Sequence, residues 1–443
     1  MNLPPRLLLG IVLVVLGIAS AHPASPIVVT RATLWTETGL EQDRELIAEG
    51  GLITAVGSSG SLRRPNDARV IDAKGDTLLP GLIDAHVHLV SGVRLPESFD
   101  SNARARVAAK QLLRSGVTSG RVHLWDLPTA TAFARDVSSG AVVSPRLQFG
   151  GPALFGGRAG WDSELGNVWG VKGVDDALAK VRRLHEAGMQ WVTLHDLRRF
   201  DEKELDAIVA ESRRLGLRVA AAGDVLEDIA IATRIGAESI EYLERSDSLR
   251  YPDDVIAKLR DRGTRLFMVP AIGFPHRFAA YRQGRMTVDD PRLTEFMPQD
   301  VAAFAMNALL EDRTREIRYA PTWNEIPPAL PAKFQQLHAA GLQIVTGTDC
   351  GSPVHVQADA IWQELETWRR LGISPFEIVR AATALNARLL DDPRAGQLKL
   401  DSRADFILYR GSIDRGTLDV ERVRTVVKEG ELYVRDGLWI TAR

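Results

Sequence analysis

The 443-residue chain contains one cysteine, Cys350, so no compartment can give it an internal disulfide. An excess of one charge sign is also missing. The 55 basic and 57 acidic side chains leave a net charge of −2, which offers neither nucleic acid nor an acidic membrane surface an electrostatic foothold. Low-complexity tracts are absent, and the apolar run Leu7 to Ile18 is shorter than the roughly 20 residues that a bilayer-spanning helix needs. What is present is a 45% hydrophobic composition over a length that can bury a full core, enough for one large enzyme-sized unit with a smaller companion.

The N-terminus reads as an export leader. Arg6 precedes the apolar run and Ala19-Ser20-Ala21 supplies small residues for cleavage, so residues 1–21 form a predicted signal peptide and the mature chain is expected in the periplasm or outside the cell. The leader holds no cysteine for lipid attachment. No stable membrane association is expected after cleavage.

The segment with the most chemistry is Pro80-Gly81-Leu82-Ile83-Asp84-Ala85-His86-Val87-His88, an apolar run that stops on two histidines spaced i, i+2. On a strand that spacing puts both imidazoles on one face. Two neutral nitrogen ligands side by side at a strand end make a natural half of a divalent metal site.

This segment resembles the amidohydrolase superfamily, in particular the imidazolonepropionase-like and prolidase-like metal-dependent hydrolases. Further stretches carry the resemblance in the family's order: Ala48 to Gly57 and Val70 to Gly75 before the histidines, then Gly347-Thr348-Asp349-Cys350-Gly351, Ile373 to Thr383 and Ala404 to Leu408. The likeness runs from about Ile27 to Gly437.

Helical and strand patterns alternate between the two histidines and Leu390 as a parallel barrel requires. Strand candidates begin at Ile83 and continue at Val117 to His123, Arg146 to Phe149, Trp191 to Leu194, Arg218 to Ala222, Ser239 to Tyr242, Arg265 to Val269 and Gln343 to Gly347. These eight predict an α/β fold with a TIM (β/α)8 barrel over residues 80–396. The flanks, 27–79 and 397–438, are rich in strands and turns, and the resemblance implies that they combine into one small β-sandwich domain. Two insertions, Gly150 to Lys172 with Arg158, Trp161 and Trp169, and Ala271 to Leu330 with His276, Arg277, Tyr281, Arg285, Trp323 and Asn324, fall where such barrels place substrate recognition. Arg158, Arg277 and Arg285 would suit a carboxylated ligand, or equally face solvent.

The resemblance implies a two-metal site built from the paired histidines, a carbamylated lysine on the fourth strand, one histidine each from the fifth and sixth, and the aspartate of the eighth. His86, His88 and Asp349 match. The middle three positions carry Thr193, Ala222 and Tyr242. No lysine lies between Lys180 and Lys203, and no histidine between His195 and His276, so realignment cannot restore them. Two ions would then lack a shared anionic ligand against their mutual repulsion.

A mononuclear centre on His86, His88 and Asp349 is expected instead, with one divalent ion, zinc foremost and manganese or iron as alternatives. Asp349 is also the expected proton carrier. His195, two residues beyond Thr193 and on the same face of a continued strand, is the expected supporting catalytic group. His123, Asp224, His276 and His355 are weaker candidates, read first as hydrogen-bonded loop or surface residues. Tyr242 reads either as a core residue with a satisfied hydroxyl or as a hydrogen-bond donor to substrate. Cys350 lacks the partners that would lower its pKa for nucleophilic work.

The sequence thus points to an exported hydrolase of carbon-nitrogen bonds, in an amide, cyclic amide or dipeptide-like small molecule. Two other readings stay open: a catalytically inactive binding protein on the same fold, and a mononuclear lactonase or deaminase.

Overall fold

Parallel pairing follows from the alternation of strand and helix, because each helix carries the chain back to the start of the next strand. A computed structural model describes residues 25–90, 94–157, 166–284, 290–312, 329–351 and 354–440. The predicted leader, Arg158, Trp161, Arg285, Trp323 and Asn324 lie outside the described residues.

All eight expected parallel strands are present, in two sheets. Leu82–Val87, Val117–Val122 and Arg146–Phe149 form one. The other runs in the order Val168–Gly170, Ala153–Phe155, Trp191–His195, Arg218–Ala222, Ser239–Glu241, Phe267–Val269 and Gln343–Ile344. The first two of these lie in the first insertion, which therefore extends the sheet besides forming loops. The strands are buried on both faces, as the apolar runs require.

Isolated bonds join the two sheets. On one side Gln190 N–H donates to the Phe149 carbonyl at 2.9 Å. On the other, Ala85 N–H donates to Thr346 O, Asp349 N–H to His86 O and His88 N–H to Cys350 O, at 2.9–3.0 Å.

Caps delimit the helices. Asp100 accepts from Ala103 N–H to start Ser101–Arg114, and Asp201 with Glu204 makes a capping box for Glu202–Arg214. The helix Leu127–Ser138 was not among the sequence expectations, although its signal is legible: Asp126 caps it and Pro128 sits in its first turn.

The flanks meet in a single nine-stranded sheet, where a sandwich is the sequence expectation. Phe406–Tyr409 pairs antiparallel with Thr77–Pro80, which joins the C-terminal strands to Ile27–Thr36 and its neighbours. Its core, with Ile27, Val29, Leu46, Phe406, Leu408 and Val427, is separate from that of the parallel strands. The second insertion is also packed: Phe274, Phe278, Tyr281 and Leu309 bury against Val354 and Val356. Among the described residues no helix is long and apolar enough to cross a membrane.

Besides these backbone bonds, one side-chain amide bridges the strands that lead to His86 and Asp349. Asn386 lies just after a π-helical turn, Ala381–Leu385, and its buried Nδ2 donates to Ile83 O at 2.6 Å, Thr346 O at 2.8 Å and Thr346 Oγ1 at 2.9 Å. Asn386→Ala removes three donated bonds from these buried oxygens, which keep Ala85 N–H on Thr346 O and Thr346 Oγ1 on Ile83 O, so urea denaturation should show a loss of about 1–3 kcal/mol. Unchanged stability would show that the seam does not depend on this side chain.

Candidate functional site

At the C-terminal ends of the strands the chain leaves the extended region in a repeated way. Leu124, Asp196, Tyr242, Ala271 and Asp349, each one to a few residues past a parallel strand, all have φ between 48° and 71°. Such conformations cost non-glycine residues energy and cluster at functional sites. At Tyr242 the twist turns inward a side chain that strict alternation would send out.

Three ligand-type atoms converge there. His86 Nε2 lies 3.3 Å from His88 Nε2, and Asp349 Oδ1 lies 2.8 Å from His88 Nε2 and 3.5 Å from His86 Nε2. His86 is fully buried, while the His88 and Asp349 side chains keep 11% and 15% exposure. His86, His88 and Asp349 therefore come together as the sequence predicts, as a group able to hold a metal ion.

The far side of each imidazole is fixed. His86 Nδ1 meets Glu241 Oε2 at 2.8 Å, and His88 Nδ1 meets the His123 carbonyl at 3.0 Å. Each Nδ1 is therefore the donor, and each Nε2 lone pair is left for a ligand, the arrangement that metal-binding histidines require. Burial lowers the His88 imidazole, but the Asp349 hydrogen bond and charge outweigh it and raise it above the usual histidine range. Burial in turn raises Asp349, and the His88 bond with the His86 and His88 charges holds it below the usual carboxylate range.

Glu241 and Arg121 were not among the sequence expectations. Both are fully buried. Arg121 Nη2 donates to Glu241 Oε1 at 2.6 Å, its Nη1 to Ser239 Oγ at 2.9 Å and its Nε to Ala85 O at 2.7 Å. Burial penalises the Glu241 charge, but Arg121 and the His86 bond hold its carboxyl below the ordinary value. A second group able to hold an ion, His86, His123 and Glu241, shares His86. Its Glu241 oxygens are already taken by Arg121, Ser239 and His86, so the Nε2-facing set is the better ion site.

The substituted positions are accounted for. Thr193 is buried and its Oγ1 meets His123 Nδ1 at 3.0 Å. Ala222 is buried and brings no donor atom. The Tyr242 hydroxyl is not in the core but in the site, 3.3 Å from His86 Nε2 and 3.4 Å from Asp349 Oδ1. Burial, then the Asp349 and Asp224 charges, push its phenol well above the usual range, which favours the neutral, proton-donating form.

His195 faces the same interior, stacked on Phe155 at 4.7 Å, with Nε2 buried and without a hydrogen-bond partner. Burial first and the His86 charge second push it down to about 3, which makes it a neutral imidazole. His123 stacks on His86 at 4.2 Å. His355 bonds the Thr348 carbonyl, His276 the Ile272 carbonyl, and Asp224 pairs with Arg245. Arg277 is committed to Asp359 at 2.7 Å and to the Val354 carbonyl, so it does not reach into the site as a free carboxylate clamp. Cys350 is buried and its thiol is pushed well up by burial and by Asp84.

The amidohydrolase family profile matches residues 77–432, a span that includes every residue of this cluster. The chain belongs to the amidohydrolase family. Among curated relatives, the imidazolonepropionase of Geobacillus kaustophilus is 22% identical over 91% of this chain and 92% of its own. The dihydroorotase of Pelobacter propionicus is 38% identical over 16% of each chain. The chain spans about two thirds of the imidazolonepropionase of Symbiobacterium thermophilum, at 26% identity. In structure, a Xaa-Pro dipeptidase with bound methionine superposes with a TM-score of 0.73 at 20% identity, over 93% of this chain and all of the other. A putative prolidase from Bifidobacterium longum gives 0.70 at 22%, over 94% and 96%. At these identities the structural likeness speaks for the fold.

Removing one partner of a buried ion pair costs about 3–5 kcal/mol, because the other charge is left bare. Arg121→Met should therefore destabilise the chain by that amount in denaturant unfolding, and Arg121→Met/Glu241→Gln should recover most of it. Equal losses in the two variants would show that the pair is not the source.

Proposed function

We propose that this amidohydrolase is an exported hydrolase of carbon-nitrogen bonds that works with one divalent ion held by His86, His88 and Asp349. The observation that carries the reading is the convergence of His86 Nε2, His88 Nε2 and Asp349 Oδ1 within 3.5 Å, with both Nδ1 atoms already engaged. Two imidazoles and a carboxylate are a donor set that fits zinc, and also manganese or iron. When bound, such an ion supplies Lewis acidity: it lowers the pKa of water and polarises a carbonyl.

The chain's own residues do the rest. Glu241 and the His123 carbonyl hold the two imidazoles in the tautomer that presents Nε2. Asp349, the partly exposed member, takes a proton from water and passes it to the departing nitrogen. His195, neutral and with Nε2 unclaimed, accepts a hydrogen bond from substrate or water. The apolar leader with its small-residue end supports delivery to the periplasm or the medium. The seam bonds between the two parallel sheets support a closed (β/α)8 barrel, and the joined flanks support the small sandwich of the family.

An amide, cyclic amide or dipeptide-like small molecule is the substrate class, which the names of the imidazolonepropionase and Xaa-Pro dipeptidase relatives support. No nucleic acid takes part.

Purified mature chain, stripped and reloaded with zinc, manganese or iron, should retain about one ion per chain. His86→Ala/His88→Ala should retain none. Loaded wild type should hydrolyse members of an amide and dipeptide panel, and Asp349→Asn should lose about 10²–10⁴-fold in turnover, the range of a positioned acid-base group. Absence of metal from the wild type would overturn the mechanism and favour the binding-protein alternative; turnover confined to lactones or amino-substituted rings would move the chemistry to a lactonase or a deaminase.

A further inference from the structure

Tyr242 stands at the end of the sixth parallel strand, where the resembled family has an imidazole. Its hydroxyl is not spent on a core partner. It reaches His86 Nε2 at 3.3 Å and Asp349 Oδ1 at 3.4 Å, the two atoms that the three-residue site already uses. The other separations in the group are 3.3, 2.8 and 3.5 Å. Four donors placed about 2.0–2.2 Å from one ion in a tetrahedron lie about 3.3–3.6 Å from one another. The separations of Tyr242 Oη from His86 Nε2 and Asp349 Oδ1 fall in that band, and one short edge, His88 to Asp349, marks a hydrogen bond within the cluster.

Two further features point the same way. Tyr242 adopts φ 71°, a left-handed conformation that a bulky aromatic residue avoids, and its backbone is pinned there by Tyr242 N–H donating to Val269 O at 2.8 Å. That twist is what brings the ring in beside His86, at 5.3 Å between ring centroids. The guanidinium of Arg245 stands 5.4 Å from the Tyr242 ring, a positive charge placed to favour an electron-rich phenolate.

We propose that Tyr242 Oη is a fourth protein ligand of the ion, so that the centre is a two-histidine, one-aspartate, one-tyrosinate site. The proposal rests on the mononuclear reading above. On coordination the Oη–H bond breaks, the bond from Oη to the ion forms and the proton leaves to solvent. Some catalytic zinc sites expand to five ligands in the transition state, and such an expansion leaves water a place beside a tyrosinate. Against this stands the simpler role, a neutral phenol that only donates a hydrogen bond to Asp349.

Ferric iron separates the two, because a phenolate bound to it gives a visible charge-transfer band and a hydrogen-bonded phenol gives none. The full-length purified chain is loaded with ferric iron and, in parallel, with zinc. The expected result is a charge-transfer band in the wild type that disappears in Tyr242→Phe. Zinc affinity in that variant should fall by more than about tenfold, the scale that even an outer-sphere partner commands. Tyr242→His, which restores an imidazole, should keep tight zinc without the band, and it serves as the informative variant if Tyr242→Phe does not fold. Iron bound in the wild type without the band, or a band that persists in Tyr242→Phe or in Tyr242→His, overturns the tyrosine ligand and leaves the three-residue site standing. No metal in the wild type, or metal that survives His86→Ala/His88→Ala, overturns the mononuclear reading and this inference with it.

Discussion

A carboxylate with no access to water, Glu241, sets the terms for the rest of the site. Buried ions are tolerated only when each lone pair and proton has a partner, and Glu241 meets that condition with Arg121 and Ser239 on one oxygen and His86 on the other. The consequence for chemistry is tautomeric. His86 must spend its Nδ1 proton on Glu241, so its Nε2 lone pair points toward His88 and Asp349. A neutral residue at 241 would leave either nitrogen free to carry the proton, and the first strand's histidine pair would no longer present two acceptors to a cation. The network below the site therefore has a purpose that its modest contribution to net stability would not suggest.

The second constraint is the close approach of the first and last parallel strands. Asp84 accepts from His86 N–H, Thr348 N–H and Thr348 Oγ1, with burial pushing its carboxyl up to about 7 against those three bonds. Asn386 bridges Ile83 and Thr346 one layer further in. Gly347 lets the strands come this near, because a Cβ there would stand 2.9 Å from His86 Cβ and 3.1 Å from His86 N. Asp84, Asn386 and Gly347 touch no ligand atom, yet they fix the distance between His86 and Asp349. A site built from two strand ends is only as defined as the seam between them.

Much of this was legible in the sequence. The i, i+2 histidines, the aspartate after Gly347-Thr348, the eight strands and the sheet-forming flanks follow from period, punctuation and resemblance, and each stands within a residue or a few of where it was expected. What was not legible has a physical reason. Ser239 and Glu241 share a face by alternation, which should send Tyr242 outward into the packing around the strands; the positive φ at 242 breaks the alternation, so Glu241 and Tyr242 both face the site. A backbone twist of that kind has no residue signature at a tyrosine. Arg121 was opaque for another reason: a lone arginine in an apolar strand announces a partner without saying which of some fifty acidic groups it is.

The same network bears on how many ions the site can hold. In two-metal centres the ions sit about 3.5–4 Å apart and need an anion shared between them. Here the fourth strand offers Thr193, whose hydroxyl is engaged by His123, and the fifth offers Ala222. Glu241, the buried carboxylate on His86 Nδ1, already has both oxygens occupied. It is also paired with a permanent cation, since the Arg121 guanidinium stays charged against Glu241. Another divalent ion would add repulsion to that guanidinium with no anion left to screen it. Thr193, Ala222 and Tyr242 at the positions where the resemblance implies a lysine and two imidazoles, and the Arg121–Glu241 pair, thus act in one direction: the positive charge that a second ion would bring to this end of the strands is supplied by the protein itself, which supports the single ion proposed above.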